Sequence, residues 1–240
     1  MMNPTRWWTG LGRRDRTWLA AGVTVCALLM IAFVSLAHEV SAGVTQSFDD
    51  SVLLALRDPA DLARPIGPEW IEGSILDLTA LGGSTILWTI VVAVAGFLLL
   101  QTRYRTAIVV VLAAGSGELL SFVLKRVFNR PRPTVVPYLR AVYSTSFPSG
   151  HAMESTIVYL TLAAILVRAS SDRPTKIYIV LVAVLLSTLA GISRIYAGVH
   201  YPTDVVGGWI AGLVWASICW LAARRFEGTT HIRAERKKSA

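Results

Sequence analysis

Six long apolar runs constrain this chain more than any other feature of its sequence. They fall at about 18–37, 75–100, 106–124, 151–167, 177–192 and 205–223. Each is near the ~20 residues that a helix needs to cross ~30 Å of hydrocarbon. With 54% hydrophobic and only 16% charged residues, little remains to build a water-facing surface around them. Lipid offers the backbone no hydrogen-bond partner, so each run is expected to be a helix, and none shows the two-residue alternation of a membrane barrel. The expected class is all-α, a polytopic membrane protein with six transmembrane helices. The runs divide the chain into a tail over 1–16, a membrane domain over 17–223 with its core at 105–223, and a basic tail over 224–240.

A net charge of +8 would suit a nucleic-acid partner, but its distribution gives a simpler account. The N-terminal tail, Arg103 and Arg105, the loop from Arg168 to Lys176, and the C-terminal tail together hold 15 Lys/Arg against 4 Asp/Glu. The opposite side holds 8 against 11. A basic excess on alternate loops is the positive-inside pattern, which puts both termini in the cytoplasm and needs no nucleic acid. Arg13, Arg14 and Arg16 before a run ending Ser35-Leu36-Ala37 also resemble a cleaved signal peptide. The run exceeds the ~7–15 residues of a signal core, so we read it as a retained first helix.

Cys26 and Cys219 both lie inside predicted spans and read as small core hydrophobes; they form no disulfide framework or metal-ligand spacing. Tryptophans such as Trp18, Trp70 and Trp220 sit near span ends, as interface anchors do. In the first outward segment, Phe48, Val52 and Leu56 follow helical spacing beside Asp49 and Asp50, which suggests a short amphipathic helix on the membrane surface. Pro59 to Pro68 then turns the chain back toward the bilayer. Gly208 and Gly212 form a small-xxx-small pair suited to close helix contact.

Three clusters carry the chemistry: Lys125-x6-Arg132-Pro133, Pro148-Ser149-Gly150-His151, and Ser193-Arg194-x5-His200-x3-Asp204. The topology read from charge alone brings all three to the outer face. Lys125, Arg132 and Arg194 would gather three cations, and the planar guanidinium fork matches phosphate oxygens two at a time. Ser149 and Gly150 open the fourth helix, whose N–H groups and dipole favour the same anion. Asp204, four residues after His200, is close enough to accept from one imidazole nitrogen and leave the other free to attack. His200 is thus the candidate nucleophile, and His151 the candidate general acid. A magnesium site would need several carboxylates, and the clusters contain only Asp204, so no metal and no cofactor are expected.

In this order and spacing, the clusters resemble the three-part signature of the type 2 phosphatidic acid phosphatases (PAP2), a superfamily that includes vanadium haloperoxidases. The resemblance covers Lys125 to Asp204 directly, and the six-helix layout extends it over most of the chain. It implies a PAP2/haloperoxidase-type helical core. It also implies Lys125, Arg132, Ser149, Gly150 and Arg194 as phosphate ligands, His151 as acid, His200 as nucleophile with Asp204 as its partner, and a phosphohistidine resolved by water. The expected substrate is a lipid phosphate or diphosphate of the undecaprenyl diphosphate, phosphatidylglycerophosphate or phosphatidic acid class, with membrane lipids as the other partners. An outward site suits recycling of a carrier diphosphate. Vanadate-dependent halide oxidation and a non-catalytic transporter or scaffold are the rival readings; the first is disfavoured by six spans, the second by intact His151, His200 and Asp204.

Outside the clusters, His38 and His231 read as packing histidines. Glu118 and Glu154 each admit two readings, a group that tunes a catalytic proton or a buried contact between helices. Arg126, Arg130 and Arg140 read as a coat on the interface, with contact to an anionic head group as the alternative.

Overall fold

The computed structural model describes the backbone of residues 13–238 and the side chains of residue 17 and of 19–223. The side chains of Arg13, Arg14, Arg16, Trp18, His231 and the basic C-terminal stretch, on which several expectations fall, lie outside the described residues.

The chain is an all-α membrane protein. Its helices are α1 (Arg13–Ser41), α2 (Gln46–Ala55), α3 (Glu69–Leu78), α4 (Ser84–Leu100), α5 (Tyr104–Phe128), α6 (Gly150–Ala169), α7 (Arg173–Tyr196) and α8 (Pro202–Lys238). Five spans are long and apolar enough to cross a bilayer: Leu19–Ser41, α5, α6, α7 and Pro202–Ala223. The sixth differs from the continuous helix expected over 75–100. A 3-10 turn, Thr79–Gly82, breaks it, and the two halves bend by 50°. A Cβ on Gly82 would stand 2.9 Å from His151 Cβ and 3.0 Å from Ala190 Cβ, so the break is where this segment presses against α6 and α7.

Local sequence explains the helix ends that matter. Asn129 takes the left-handed conformation (φ 43°) and closes α5, with its N–H on the Lys125 carbonyl at 3.0 Å. Pro131 and Pro133 then prevent the helix from resuming, so the chain carrying Arg130 and Arg132 runs across the end of the bundle. Pro202 suits the first turn of α8, where its missing N–H costs nothing. At the other end, the Asp172 side chain caps α7 by accepting from Thr175 N at 2.8 Å.

Helix α6 is central, packed against α5, α7 and α8 and burying Ala152, Met153, Ile157, Val158 and Ala163. Gly208 and Gly212 do what their spacing suggested: Cβ atoms there would stand 2.6 Å from Ser149 O and 2.8 Å from Met153 O, so α8 lies directly on the α6 backbone. One apolar cluster joins α4, α5, α6 and α7, and a second joins α1, α5, α6 and α8 around Phe33, Phe147 and Met153. Lipid tails are as apolar as these side chains, so close packing and hydrogen bonds between helices must hold the bundle together. Here the tryptophan expectation needs amending. Trp70 is exposed, but Trp88, Trp209 and Trp215 donate inside the bundle, to Glu118 (2.8 Å), the Ser187 carbonyl (3.1 Å) and Ser116 Oγ (3.2 Å).

The segment between α1 and α3 holds the amphipathic helix α2 and a short antiparallel hairpin, β1 (Arg57–Asp58) with β2 (Asp61–Pro65). The face of α2 differs from the expected one. Asp49 and Leu53 are fully buried, and Phe48 is exposed. Arg57, in β1, is buried and donates to the Tyr196 carbonyl at 3.0 Å, tying the hairpin to the end of α7.

Candidate active site

A cavity of about 520 Å³ opens where α5 ends, α6 begins, and the α7–α8 turn closes the bundle. Lys125, Arg132, Gly150, His151, Arg194 and His200 all line it. Of the residues singled out from sequence, Ser149 and Asp204 stand behind this wall. The opposite wall is the broken span, from Thr79 to Ile86, and Glu154 and the loop from Arg140 to Ser144 also line it.

Each cation is held by the protein before any ligand arrives. Lys125 Nζ, in the last turn of α5, donates to the Thr145 carbonyl at 2.8 Å. Arg132 bridges two loops: Nε reaches Ser144 O at 2.6 Å, Nη2 reaches Ser144 Oγ at 3.0 Å and Nη1 reaches Val199 O at 2.5 Å. Burial lowers the pKa of its guanidinium, with Asp204 and then Tyr138 pulling the other way. Arg194 Nη1 lies 3.3 Å from Thr79 Oγ1, so the 3-10 turn also supports this cation. Arg194 Nε and Ser149 Oγ are buried and make no hydrogen bond. Buried polar groups in folded proteins are nearly always paired, so Arg194 Nε keeps an unused donor at the cavity.

His200 sits in the turn before α8, fully buried apart from its cavity edge. Its Nε2 is 3.3 Å from Arg132 Nη1, and its Nδ1 is 3.4 Å from Asp204 Oδ2. Burial, followed by the charges of Lys125, Arg132 and Arg194, drives its pKa well below the ordinary histidine value. The ring is therefore neutral near pH 7. His151 enters from the first turn of α6, backed by Gly82.

Asp204 does more than the sequence suggested. Oδ2 takes Tyr201 N at 2.9 Å and Ser146 Oγ as well as the long contact to His200, and Oδ1 pairs with Arg130 Nη1 at 2.6 Å. Arg130 is therefore no part of an interfacial coat. It is 8% exposed, pairs also with Asp49 Oδ2 at 2.8 Å, and lies 4.1 Å over the Tyr201 ring. Burial alone would lower its pKa, but Asp204 and Asp49 overcome that and raise it. Arg126 does sit outside, over the Phe122 ring at 4.7 Å.

The two glutamates separate. Glu118 accepts from Trp88 Nε1 and joins α5 to α4, as a helix contact would. Glu154 accepts from Ser84 Oγ at 3.1 Å and lines the cavity beside His151. Among the described residues no group of three or more His, Cys, Asp or Glu is placed to hold a metal ion.

A family model described as the PAP2 superfamily matches residues 104–227. Phosphatidylglycerophosphatase B of Bacillus subtilis (strain 168) is 32% identical over 189 residues, 78% of this chain and 88% of the relative. Decaprenylphosphoryl-5-phosphoribose phosphatase of Mycolicibacterium smegmatis is 30% identical over 163 residues, 67% of this chain and 81% of the relative. Among solved structures, the transmembrane PAP2-type phosphatidylglycerolphosphate phosphatase from Bacillus subtilis superposes with a TM-score of 0.71 at 30% identity, covering 83% of this chain and 96% of that one.

Proposed function

Because this chain belongs to the PAP2 superfamily, we propose that it hydrolyses a lipid phosphate or diphosphate through a phosphohistidine on His200, at the outer face of a bacterial inner membrane. The observation that carries this reading is the cavity wall, where Lys125, Arg132 and Arg194 gather around the exposed edge of His200. A phosphate dianion is a guest suited to three cations, and it supplies acceptors for the unbonded Arg194 Nε.

In the first step the His200 Nε2 lone pair forms a bond to phosphorus as the bond to the lipid oxygen breaks, and His151 gives that oxygen a proton. In the second, water attacks phosphorus, the P–N bond breaks, and the water proton passes to His151. Lys125, Arg132, Arg194 and the N–H groups that open α6 at Gly150 stabilise charge on the equatorial oxygens in both steps. With these cations in place the reaction needs no metal. Asp204, behind His200, orients the ring.

The outward orientation rests on the basic excess at the opposite loops. The relatives named above favour two substrate classes, a glycerophospholipid monophosphate and a polyprenyl-linked phosphate. Assay of the purified protein in detergent against lipid phosphates and diphosphates tests the reading. Phosphate release that survives excess EDTA and is inhibited by vanadate is expected, and loss of all but background activity in His200→Ala. Full activity in that variant, or strict magnesium dependence, contradicts the mechanism.

A further inference from the structure

We infer that Asp49, outside the three signature clusters, and Arg130, at an unspecified position within the first of them, are positioning residues that set the His200–Asp204 pair through a buried Asp49–Arg130–Asp204 relay. The inference rests on the function proposed above and adds to it residues that no motif specifies.

The relay is built from three distant parts of the chain. Asp49 is in α2, Arg130 is in the extended segment after α5, and Asp204 is in the first turn of α8. Arg130 divides its fork between the two carboxylates, both fully buried. Removing one partner from such an assembly leaves an uncompensated buried charge, so each member fixes the others.

Asp49 has a second task. Its Oδ1 accepts from Thr203 N at 3.0 Å and its Oδ2 from Thr203 Oγ1 at 2.6 Å. A helix α2 residue thereby caps the start of α8 at the position beside Asp204. Gln46, one turn earlier in α2, donates to Tyr201 OH at 3.1 Å, on the residue beside His200. Helix α2 thus grips the turn just after His200 at Tyr201 and Thr203.

The relay also shapes the charge that His200 meets. Facing or influencing the ring are Lys125 from α5, Arg132 and Arg140 from the following loop, His151 and Glu154 from α6, Arg194 from α7 and Asp204 from α8. Asp204 alone would draw a proton onto the ring. Arg130 balances that carboxylate and leaves the three cavity cations to keep the ring neutral. Without Arg130 the carboxylate field at His200 is unmasked, and the imidazole takes up its proton at a higher pH.

The test compares Arg130→Gln, Arg130→Lys and Asp49→Asn with the parent protein, full-length in detergent, scoring kcat, KM and the pH profile of kcat/KM per folded molecule. Arg130→Gln is expected to lower kcat by about 10–100-fold, the range seen when an outer-shell partner of a site ligand is removed. KM stays near the parent value, and the acid limb moves to higher pH. Arg130→Lys restores part of both. Asp49→Asn keeps the Arg130–Asp204 pair, so it supplies the readout if Arg130→Gln does not fold: kcat falls and KM holds. Parent kcat and an unmoved acid limb in folded Arg130→Gln, or parent kcat in Asp49→Asn, overturns the inference. If the parent protein releases no phosphate or His200→Ala retains full activity, the proposed function fails instead.

Discussion

Arg132 Nη1 stands 3.3 Å from His200 Nε2, so the nitrogen proposed to attack faces a guanidinium that is itself clamped between Ser144 and Val199. Phosphate can reach that nitrogen only by sharing the guanidinium. A lysine keeps the charge but cannot hold two carbonyls and a phosphate oxygen with one fork. Arg132→Lys is therefore expected to lower kcat/KM by about 10–100-fold, or roughly 1.4–2.8 kcal/mol of transition-state stabilisation. Steady-state assays on the folded variant check this.

The depressed pKa of His200 has consequences for both activity and stability. Activity needs the neutral ring, so the acid limb due to His200 should fall well below pH 6.5. In the unfolded chain the same imidazole titrates near 6.5, so between the two values the unfolded state binds more protons. Stability contributed by the neutral ring is present above about pH 6.5 and is lost as pH falls through that window. A pH–rate profile and thermal melts across pH 4–8 measure the two; an acid limb at or above 6.5 would count against His200 as a buried neutral nucleophile.

Gly82 has no room for a side chain. Its Cβ would meet His151 Cβ, Ala190 Cβ and His151 O at 2.9, 3.0 and 3.1 Å. Gly82→Ala is expected to displace His151, lowering kcat and costing about 1–3 kcal/mol of stability through overpacking. Gly96→Ala in α4, where a Cβ meets nothing within 4 Å, serves as the control and should leave kcat unchanged.

Trp88 and Glu118 form a contact between α4 and α5, and neither lines the cavity that holds His200. Trp88→Phe leaves a carboxylate without its donor inside the bundle, at a cost of about 1–3 kcal/mol. A lower Tm with parent kcat/KM is the expected result. A fall in kcat with an altered pH profile would instead give Glu118 a part in proton transfer.

Spans and signature clusters were legible in the sequence because both depend on local order. An apolar run near twenty residues has one stable form in lipid. Lys125 and Arg132, His151, and Arg194 and His200 lie at the ends of consecutive helices, so their meeting follows once the helices alternate across the membrane. Gly208 and Gly212 could be read for the same reason, since four-residue spacing puts both on one face.

Partner choice was decided only by the tertiary structure. Arg130 looked like one more cation in a basic loop, and Asp49 like one more acid on a polar face. Which carboxylates the guanidinium meets depends on how α2 docks on α8, and a charge's position in sequence carries no record of a partner that far along the chain. The break at Thr79–Gly82 was hidden in the same way: the run through it is apolar, and close approach to His151 and Ala190, not hydropathy, is where the helix stops. Sequence alone thus determined the membrane fold and the gathering of cations and histidines at one end of the bundle. The folded packing decided which buried charges are balanced, because in a low-dielectric interior a charge is tolerated only beside the specific partner that the fold brings to it.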